Sequence, residues 1–284
     1  MRFRAAVVQA GSILFDLEAT LAKAEGLTGE AAAAGAKVIL FPEAFLGGYP
    51  KGADFGARVG SRSAEGRALF RRYFESAIDV PGPATTRIGE AAKAAGAWVA
   101  MGAIEREGGT LYCTVLFFAP DGRLAGKHRK LMPTAMERLI WGFGDATTLE
   151  CVETPYGRMG AAICWENYMP LLRAHLYAQG VQLYCAPTVD DRETWAVTMR
   201  HVALEGRCFV LSACQWVAGA SVSESIGGGS LIVGPLGKVL AGPSRDGECV
   251  LTADLDSGEI AEGKFDLDVA GHYARPDVFQ LTVR

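Results

Sequence analysis

The first forty residues switch period twice. Phe3-Arg4-Ala5-Ala6-Val7-Val8-Gln9 is a mostly apolar run of strand length, and Leu17, Leu21, Ala24 and Leu27 then recur at helical spacing behind Asp16, an N-cap residue type. Gly35 supplies a helix stop. Lys37-Val38-Ile39-Leu40-Phe41-Pro42 follows as a short, almost wholly apolar run of the kind covered on both faces of a sheet. A β-α-β unit therefore opens the chain. The same alternation predicts a strand over residues 181–186, a helix over 192–206 and a buried strand over 208–212. Residues 101–105, 111–118 and 123–128 read as successive strands around the turn signals Gly108-Gly109 and Pro120-Asp121-Gly122, and residues 230–233 and 238–241 flank Gly234-Pro235-Leu236-Gly237 in the same manner. Residues 53–81 break the pattern: they are polar and Arg-rich, and read as an exposed excursion beside a site entrance or an interface. No proline-rich linker, low-complexity tract or repeat divides the sequence. Residues 1–284 are expected to form one α/β domain, with mixed sheets carrying helices on their outer faces.

Half of the residues are hydrophobic (50%) and 21% are charged, which allows a large core and excludes global disorder. Lys plus Arg number 28 against 32 Asp plus Glu, a net charge of −4, and the densest basic cluster is only Lys127-His128-Arg129-Lys130. No nucleic-acid partner is expected from such a balance. No apolar run approaches the roughly 18 residues of a membrane span, and the run between Arg4 and Gln9 is too short for a signal peptide, so the expected location is the cytoplasm, away from membranes. Cys113, Cys151, Cys164, Cys185, Cys208, Cys214 and Cys249 form an odd set without a C-x-x-C pair. They fit neither a disulfide framework nor a zinc ribbon, and all but one read as small core residues. His128, His175, His201 and His272 lack ligand-like spacing, so no metal is expected. The serine-hydrolase elbow, the P-loop and the zincin motif are absent, and Gly142-Phe143-Gly144 lacks the third glycine of a dinucleotide fingerprint.

Three segments place a reactive side chain just after a predicted buried strand, where a sheet presents residues to a crevice. They are Phe41-Pro42-Glu43-Ala44, His128-Arg129-Lys130-Leu131-Met132-Pro133-Thr134 and Gly160-Ala161-Ala162-Ile163-Cys164-Trp165-Glu166-Asn167. Taken singly, Glu43 reads equally as a solvated strand end, Lys130 as a surface charge and Cys164 as an inert core thiol. Together they supply a proton acceptor, a cation and a thiol, a complete nucleophilic set. A helix expected to begin near Asn167 would put its N-terminus beside Cys164 and favour the thiolate.

At these residues the chain resembles the nitrilase superfamily of carbon-nitrogen hydrolases. Further segments carry the resemblance toward the nitrilase branch: Gly47-Gly48-Tyr49-Pro50-Lys51-Gly52, Glu137-Arg138-Leu139-Ile140-Trp141-Gly142, Trp165-Glu166-Asn167-Tyr168-Met169-Pro170, Met199-Arg200-His201-Val202-Ala203-Leu204-Glu205-Gly206-Arg207-Cys208 and Gly271-His272-Tyr273-Ala274-Arg275-Pro276-Asp277. Amidase branches usually follow the cysteine with a different pair, often Tyr-Asp. Nitrilases usually continue for several tens of residues beyond the Gly-His-Tyr segment, whereas this sequence stops at Arg284.

The resemblance implies a four-layer α-β-β-α sandwich, a catalytic set of Glu43, Lys130 and Cys164, and an additional glutamate, Glu137, beside it. It implies that Tyr49, Trp141 and Trp165 contact substrate, with the backbone N–H groups of Cys164 and Trp165 available as oxyanion donors. The implied reaction is hydrolysis of a nitrile, an arylacetonitrile or an aliphatic one, to acid and ammonia through a thioimidate and a thioester, with no metal or organic cofactor. An amidase, an N-carbamoyl hydrolase, a hydratase releasing the amide and a non-catalytic scaffold are the alternatives. A homo-oligomer is implied as well, because the expected helix 167–179 carries Tyr168, Leu171, Leu172, Leu176 and Tyr177, more apolar surface than one buried stripe requires.

Overall fold

The computed structural model describes residues 1–219 and 223–284. The opening β-α-β unit is present as β1 (Arg2–Gln9), α1 (Leu17–Ala33) and β2 (Ala36–Leu40). Asp16 caps α1 by accepting the Ala19 N–H at 2.9 Å. There follow α2 (Ala64–Ser76), β3 (Ile78–Asp79), α3 (Pro83–Ala95), β4 (Trp98–Glu107), β5 (Thr110–Phe118) and β6 (Leu124–Arg129). The second half contains β7 (Met159–Ala161), α4 (Pro170–Ala178), β8 (Leu183–Cys185), α5 (Glu193–Gly206), β9 (Phe209–Ser212), β10 (Ser230–Val233), β11 (Val239–Ser244), β12 (Cys249–Asp256) and α6 (Gly258–Asp266).

Two mixed sheets result. One runs β12-β1-β2-β4-β5-β6, with β3 pairing the far end of β4; the other runs β11-β10-β9-β8-β7. Strand alternation sorts their side chains into three apolar layers. Ala6, Val8, Ile39, Val99 and Leu116 face outward onto Leu21 and Ala24 of α1 and Ile88 of α3. Ala5, Val7, Leu40, Val115 and Phe117 face inward, against Met159, Leu183, Cys185, Leu211 and Ile232 of the second sheet. Tyr184, Val210, Leu231 and Val233 cover the other side of that sheet, beneath Leu176 of α4 and Trp195 and Met199 of α5. This is the expected four-layer α-β-β-α order, because period-two side chains bury both faces of each sheet.

Three expectations need correction. Residues 53–81 hold a helix, α2, capped by Ser63, whose Oγ accepts the Gly66 N–H at 2.9 Å. Its apolar stripe of Leu69, Phe70, Tyr73 and Phe74 packs on the inter-sheet core, and Arg67, Arg71 and Arg72 masked that periodicity in the sequence. The chain from Cys164 to Tyr168 is a 3-10 turn, and the α-helix starts only at Pro170, where proline at the first turn is favourable. Cys151 and Cys249 are half-buried rather than core residues. Among the described residues no helix is long and apolar enough to cross a membrane.

One close approach positions the loop after β2. The Phe41 N–H bonds to the Ala100 carbonyl at 2.8 Å and the Leu46 N–H to the Gly102 carbonyl at 3.0 Å, so residues 41–46 bulge while still following β4. A Cβ at Gly102 would lie 1.9 Å from the Pro42 carbonyl oxygen and 3.0 Å from the Ala44 nitrogen, both backbone atoms. Gly102→Ala is therefore expected to lower stability in urea titration by about 1–3 kcal/mol, the usual effect of overpacking, and to displace the Glu43 loop.

Candidate active site

Glu43, Lys130 and Cys164 each follow the end of a strand. Glu43 sits in the bulge after β2, ahead of Ala44 at φ 52°. Lys130 extends β6 by one residue, its N–H donating to the Cys113 carbonyl at 2.8 Å. Cys164 follows β7 at φ 51°, a left-handed conformation that costs a non-glycine residue roughly 1–2 kcal/mol. Its N–H donates to the Pro187 carbonyl at 2.9 Å, and the Asn167 side-chain amide donates to the carbonyls of Ala162 and Cys164, both at 2.8 Å. Those bonds hold the turn that aims the thiol between the two sheets.

The sequence signals bring Glu43, Lys130, Cys164 and Glu137 together. Lys130 Nζ donates to Glu43 Oε1 at 2.6 Å and to Glu137 Oε2 at 2.8 Å. Glu137 Oε1 accepts the Tyr49 hydroxyl at 2.8 Å, and its Oε2 accepts the Thr134 N–H at 2.6 Å, which also caps the 3-10 turn Ala135–Leu139. Glu43, Lys130 and Cys164 are only 0%, 1% and 4% exposed. Burial raises the pKa of Glu43; Glu137 adds to that shift, while Lys130 and the Cys164 thiol oppose it. For Lys130 burial acts in the opposite sense, but Glu43, Cys164 and Glu137 outweigh it and keep the ammonium charged.

Burial, and then the charge of Glu43, push the Cys164 thiol well up, against the opposing influence of Lys130 and of the Thr188 hydroxyl. Where a helix N-terminus was expected beside Cys164 there is a 3-10 turn, and burial and the charge of Glu43 oppose the thiolate. Among the described residues Glu43 Oε2 is buried without a hydrogen-bond partner, while Oε1 takes Lys130 and, at 3.6 Å, the Cys113 thiol. The arrangement leaves one free carboxylate oxygen to receive a thiol proton. The Cys164 N–H is already used by the Pro187 carbonyl, so it is not open as one of the two expected oxyanion donors.

A cavity of about 290 Å³ adjoins this set, lined by Tyr49, Phe55, Tyr73, Met136, Ile140 and Trp141 with Lys51, Asp54 and Glu137 among the polar members. Tyr49 and Trp141 meet edge-on at 5.8 Å, and the Lys130 ammonium lies 5.4 Å from the Trp141 ring. Trp165 is not in this lining, and neither are Glu43, Lys130 and Cys164. Trp165 is half-exposed, with its indole N–H donating to Asp190 at 2.9 Å and Arg192 stacked on its ring.

Sequence reasoning missed two contributors. Thr188 donates its hydroxyl to the Cys164 sulfur at 3.2 Å, with no motif to announce it. Glu166 accepts the Leu131 N–H and the Ile163 N–H, each at 2.7 Å, and lies 2.9 Å from His128 Nε2. It thereby fastens the residue after Lys130 to the residue before Cys164. Its place two positions after the cysteine was the available signal.

Comparison with known proteins agrees with this geometry. The profile of the family described as carbon-nitrogen hydrolase matches residues 4–265. An aliphatic nitrilase of Sinorhizobium fredii is 59% identical over 295 residues, spanning 99% of this chain and 96% of its own. Nitrilase 1 of Arabidopsis thaliana is 51% identical over 298 residues (99% of this chain, 86% of its own), and a bifunctional nitrilase/nitrile hydratase of Lupinus angustifolius is 54% identical over 299 residues (99% and 86%). The crystal structure of the Caenorhabditis elegans NitFhit protein superposes with a TM-score of 0.81 at 23% identity, covering 100% of this chain and 67% of that one. An amidase from Nesterenkonia sp. superposes at 0.71 and 21% identity, covering 92% of each chain. The structural neighbours share the fold, and the far closer sequence relatives set the branch: the chain belongs to the carbon-nitrogen hydrolase family, in its nitrilase branch.

Proposed function

We propose that this protein hydrolyses an organic nitrile to the carboxylic acid and ammonia, with Cys164 as nucleophile, Glu43 as proton carrier, Lys130 as electrostatic stabiliser and Glu137 as the group that holds Lys130. The observation that carries the reading is the buried Glu43 Oε2, without a hydrogen-bond partner among the described residues, in the same buried inter-sheet region as the Cys164 thiol. A nitrile carbon is a weak electrophile and needs sulfur attack coupled to protonation of nitrogen. As the Cys164 sulfur forms its bond to carbon, Glu43 takes the thiol proton and passes it to the nitrogen, giving a thioimidate. Water, deprotonated by Glu43, adds to that carbon; the tetrahedral species expels ammonia and leaves a thioester. A second water releases the acid and returns the proton to sulfur. Burial makes Glu43 a better base than an exposed carboxylate, and Lys130, fixed between two carboxylates, offsets charge on each intermediate.

The apolar cavity beside Glu137 supports arylacetonitriles or medium aliphatic nitriles as substrates. Amide release from the tetrahedral species is a second reading, supported by relatives named as bifunctional nitrilase/nitrile hydratases. The three apolar layers joined through one inter-sheet core support reading residues 1–284 as one domain. The odd cysteine count supports a cytoplasmic location. On α4 and the turn before it, Leu172, Leu176 and Tyr177 are buried but Tyr168 and Leu171 are exposed, and exposed Val197 and Leu204 of α5 extend that apolar surface. That surface supports a homo-oligomer built through these helices.

Three results are expected. Incubation with paired nitriles and amides should yield ammonia and acid from the nitriles, and intact-mass analysis should find the substrate-derived adduct on Cys164; Cys164→Ala should fold and be inactive. Glu137→Gln should reduce kcat/KM at least about a hundredfold, the effect of losing an electrostatic stabiliser of roughly 2.7 kcal/mol. Because the Glu137 charge helps raise the Glu43 pKa, the acid limb of the residual activity should move to lower pH in that variant. Near-wild-type turnover or an unmoved limb would return Glu137 to a structural role.

A further inference from the structure

We infer that Thr188 is a catalytic residue of the same reaction, the hydroxyl donor that stabilises the Cys164 sulfur whenever it carries charge. This rests on Cys164 being the nucleophile. Thr188 Oγ1 lies 3.2 Å from Cys164 Sγ as donor, and the same oxygen accepts the Asp190 N–H at 2.9 Å. With that lone pair engaged, the hydroxyl hydrogen is directed at sulfur. The backbone is equally fixed: the Thr188 N–H bonds to the Ala213 carbonyl at 2.9 Å, and its carbonyl accepts the Gln215 N–H at 3.3 Å. The preceding residue, Pro187, holds the Cys164 N–H. Nucleophile and donor are therefore tied through adjacent residues of one segment, and Thr188 is fully buried.

The other charged groups at the sulfur are committed elsewhere. Lys130 Nζ is shared between Glu43 and Glu137, and Glu43 is the acceptor for the thiol proton. When that proton moves to Glu43 and the sulfur electron pair forms the bond to the nitrile carbon, the π pair goes to nitrogen, which takes the proton from Glu43. Negative charge on sulfur is transient, and the Thr188 hydroxyl faces it throughout. It appears again when the thioester is hydrolysed: the carbon–sulfur bond breaks, the pair returns to sulfur, and Glu43 restores the proton. A hydroxyl bonded to a neutral thiol gains strength as that sulfur becomes anionic, so it favours both transition states over the resting thiol.

The test compares Thr188→Val, which keeps the shape without the hydroxyl, with Thr188→Ser, which keeps the hydroxyl. Readouts are kcat and KM on a nitrile that wild type turns over, the single-turnover rate of adduct formation on Cys164 by intact mass, and urea stability. A hydrogen bond to a charged group is worth enough that kcat and the acylation rate should fall at least about tenfold in the Val variant. KM should stay within about twofold, and Ser should retain at least about a third of wild-type kcat. Because the Val variant orphans the Asp190 N–H, all variants are compared at a temperature where urea titration shows the Val variant folded, and Thr188→Asn, which keeps an acceptor for that N–H but not the hydroxyl, is measured beside it. Val turnover above about half of wild type, an equal loss in Ser and Val, or a change in KM alone would overturn the assignment. A wild-type enzyme that never acquires mass on Cys164 would overturn the nucleophile itself, whereas a normal adduct with undiminished Val turnover removes only Thr188.

Discussion

A lysine ammonium with no exposed side-chain surface lies between two carboxylates, and this buried triad constrains everything around it. An unpaired charge cannot be kept in such an interior, so Lys130 requires Glu43 on one side and Glu137 on the other. Two carboxylates so near each other would repel, and the cation between them is what lets Glu137 remain close while it raises the Glu43 pKa. Glu137 must in turn be held, and Tyr49 and the Thr134 N–H do this from opposite ends of its carboxylate. Burial and the neighbouring acids keep the Tyr49 phenol protonated, so it stays a donor. The apolar cavity begins at the same residues: Tyr49, Glu137 and Trp141 are at once its wall and the surroundings of the cation.

This triad brings strained backbone with it. Residues that stop at strand ends can converge only if the chain turns sharply there, and Ala44 and Cys164 both take left-handed φ angles to do so. Their cost is offset by bonds that have no slack, such as Asn167 to the carbonyls of Ala162 and Cys164, and by Gly102, where the Pro42 carbonyl passes too close for any side chain. The sandwich core fixes the strand ends; the strained turns convert that rigidity into an aimed thiol.

What the sequence disclosed follows from which of these constraints are local. Period-two and helical patterning exposed β1, α1, β2, β4, β5, β6, α5 and β9, because each buries a regular face against a layer. Glu43, Lys130 and Cys164 were legible because each closes a recognisable run. The α2 helix was hidden by arginines on its solvent side. Thr188 was illegible for a different reason. Its partner is 24 positions away in sequence, and the bond exists only because β7 and β8 are parallel neighbours. Likewise the surroundings of the thiol could not be read from an expected helix start, since the burial that pushes its pKa up is a property of both sheets together.

Glu166 shows how the two halves of the site are kept in register. The cation arrives on the first sheet and the thiol on the second, and among the described residues no strand of one pairs with a strand of the other. Fully buried, the Glu166 carboxylate spans them by accepting one N–H from Leu131 and another from Ile163. Two backbone donors and His128 satisfy both of its oxygens, which is the condition under which a buried carboxylate rigidifies rather than destabilises. A sliding of one sheet against the other would stretch the bonds to Leu131 and His128, because the Ile163 N–H keeps Glu166 fixed to the second sheet, and would change the Lys130 to Cys164 separation by the same motion. The geometry of the set is therefore held against the soft mode of a sandwich, sheet-on-sheet shear, by Glu166 together with Gln215, whose side-chain amide donates to the Glu43 carbonyl at 2.8 Å.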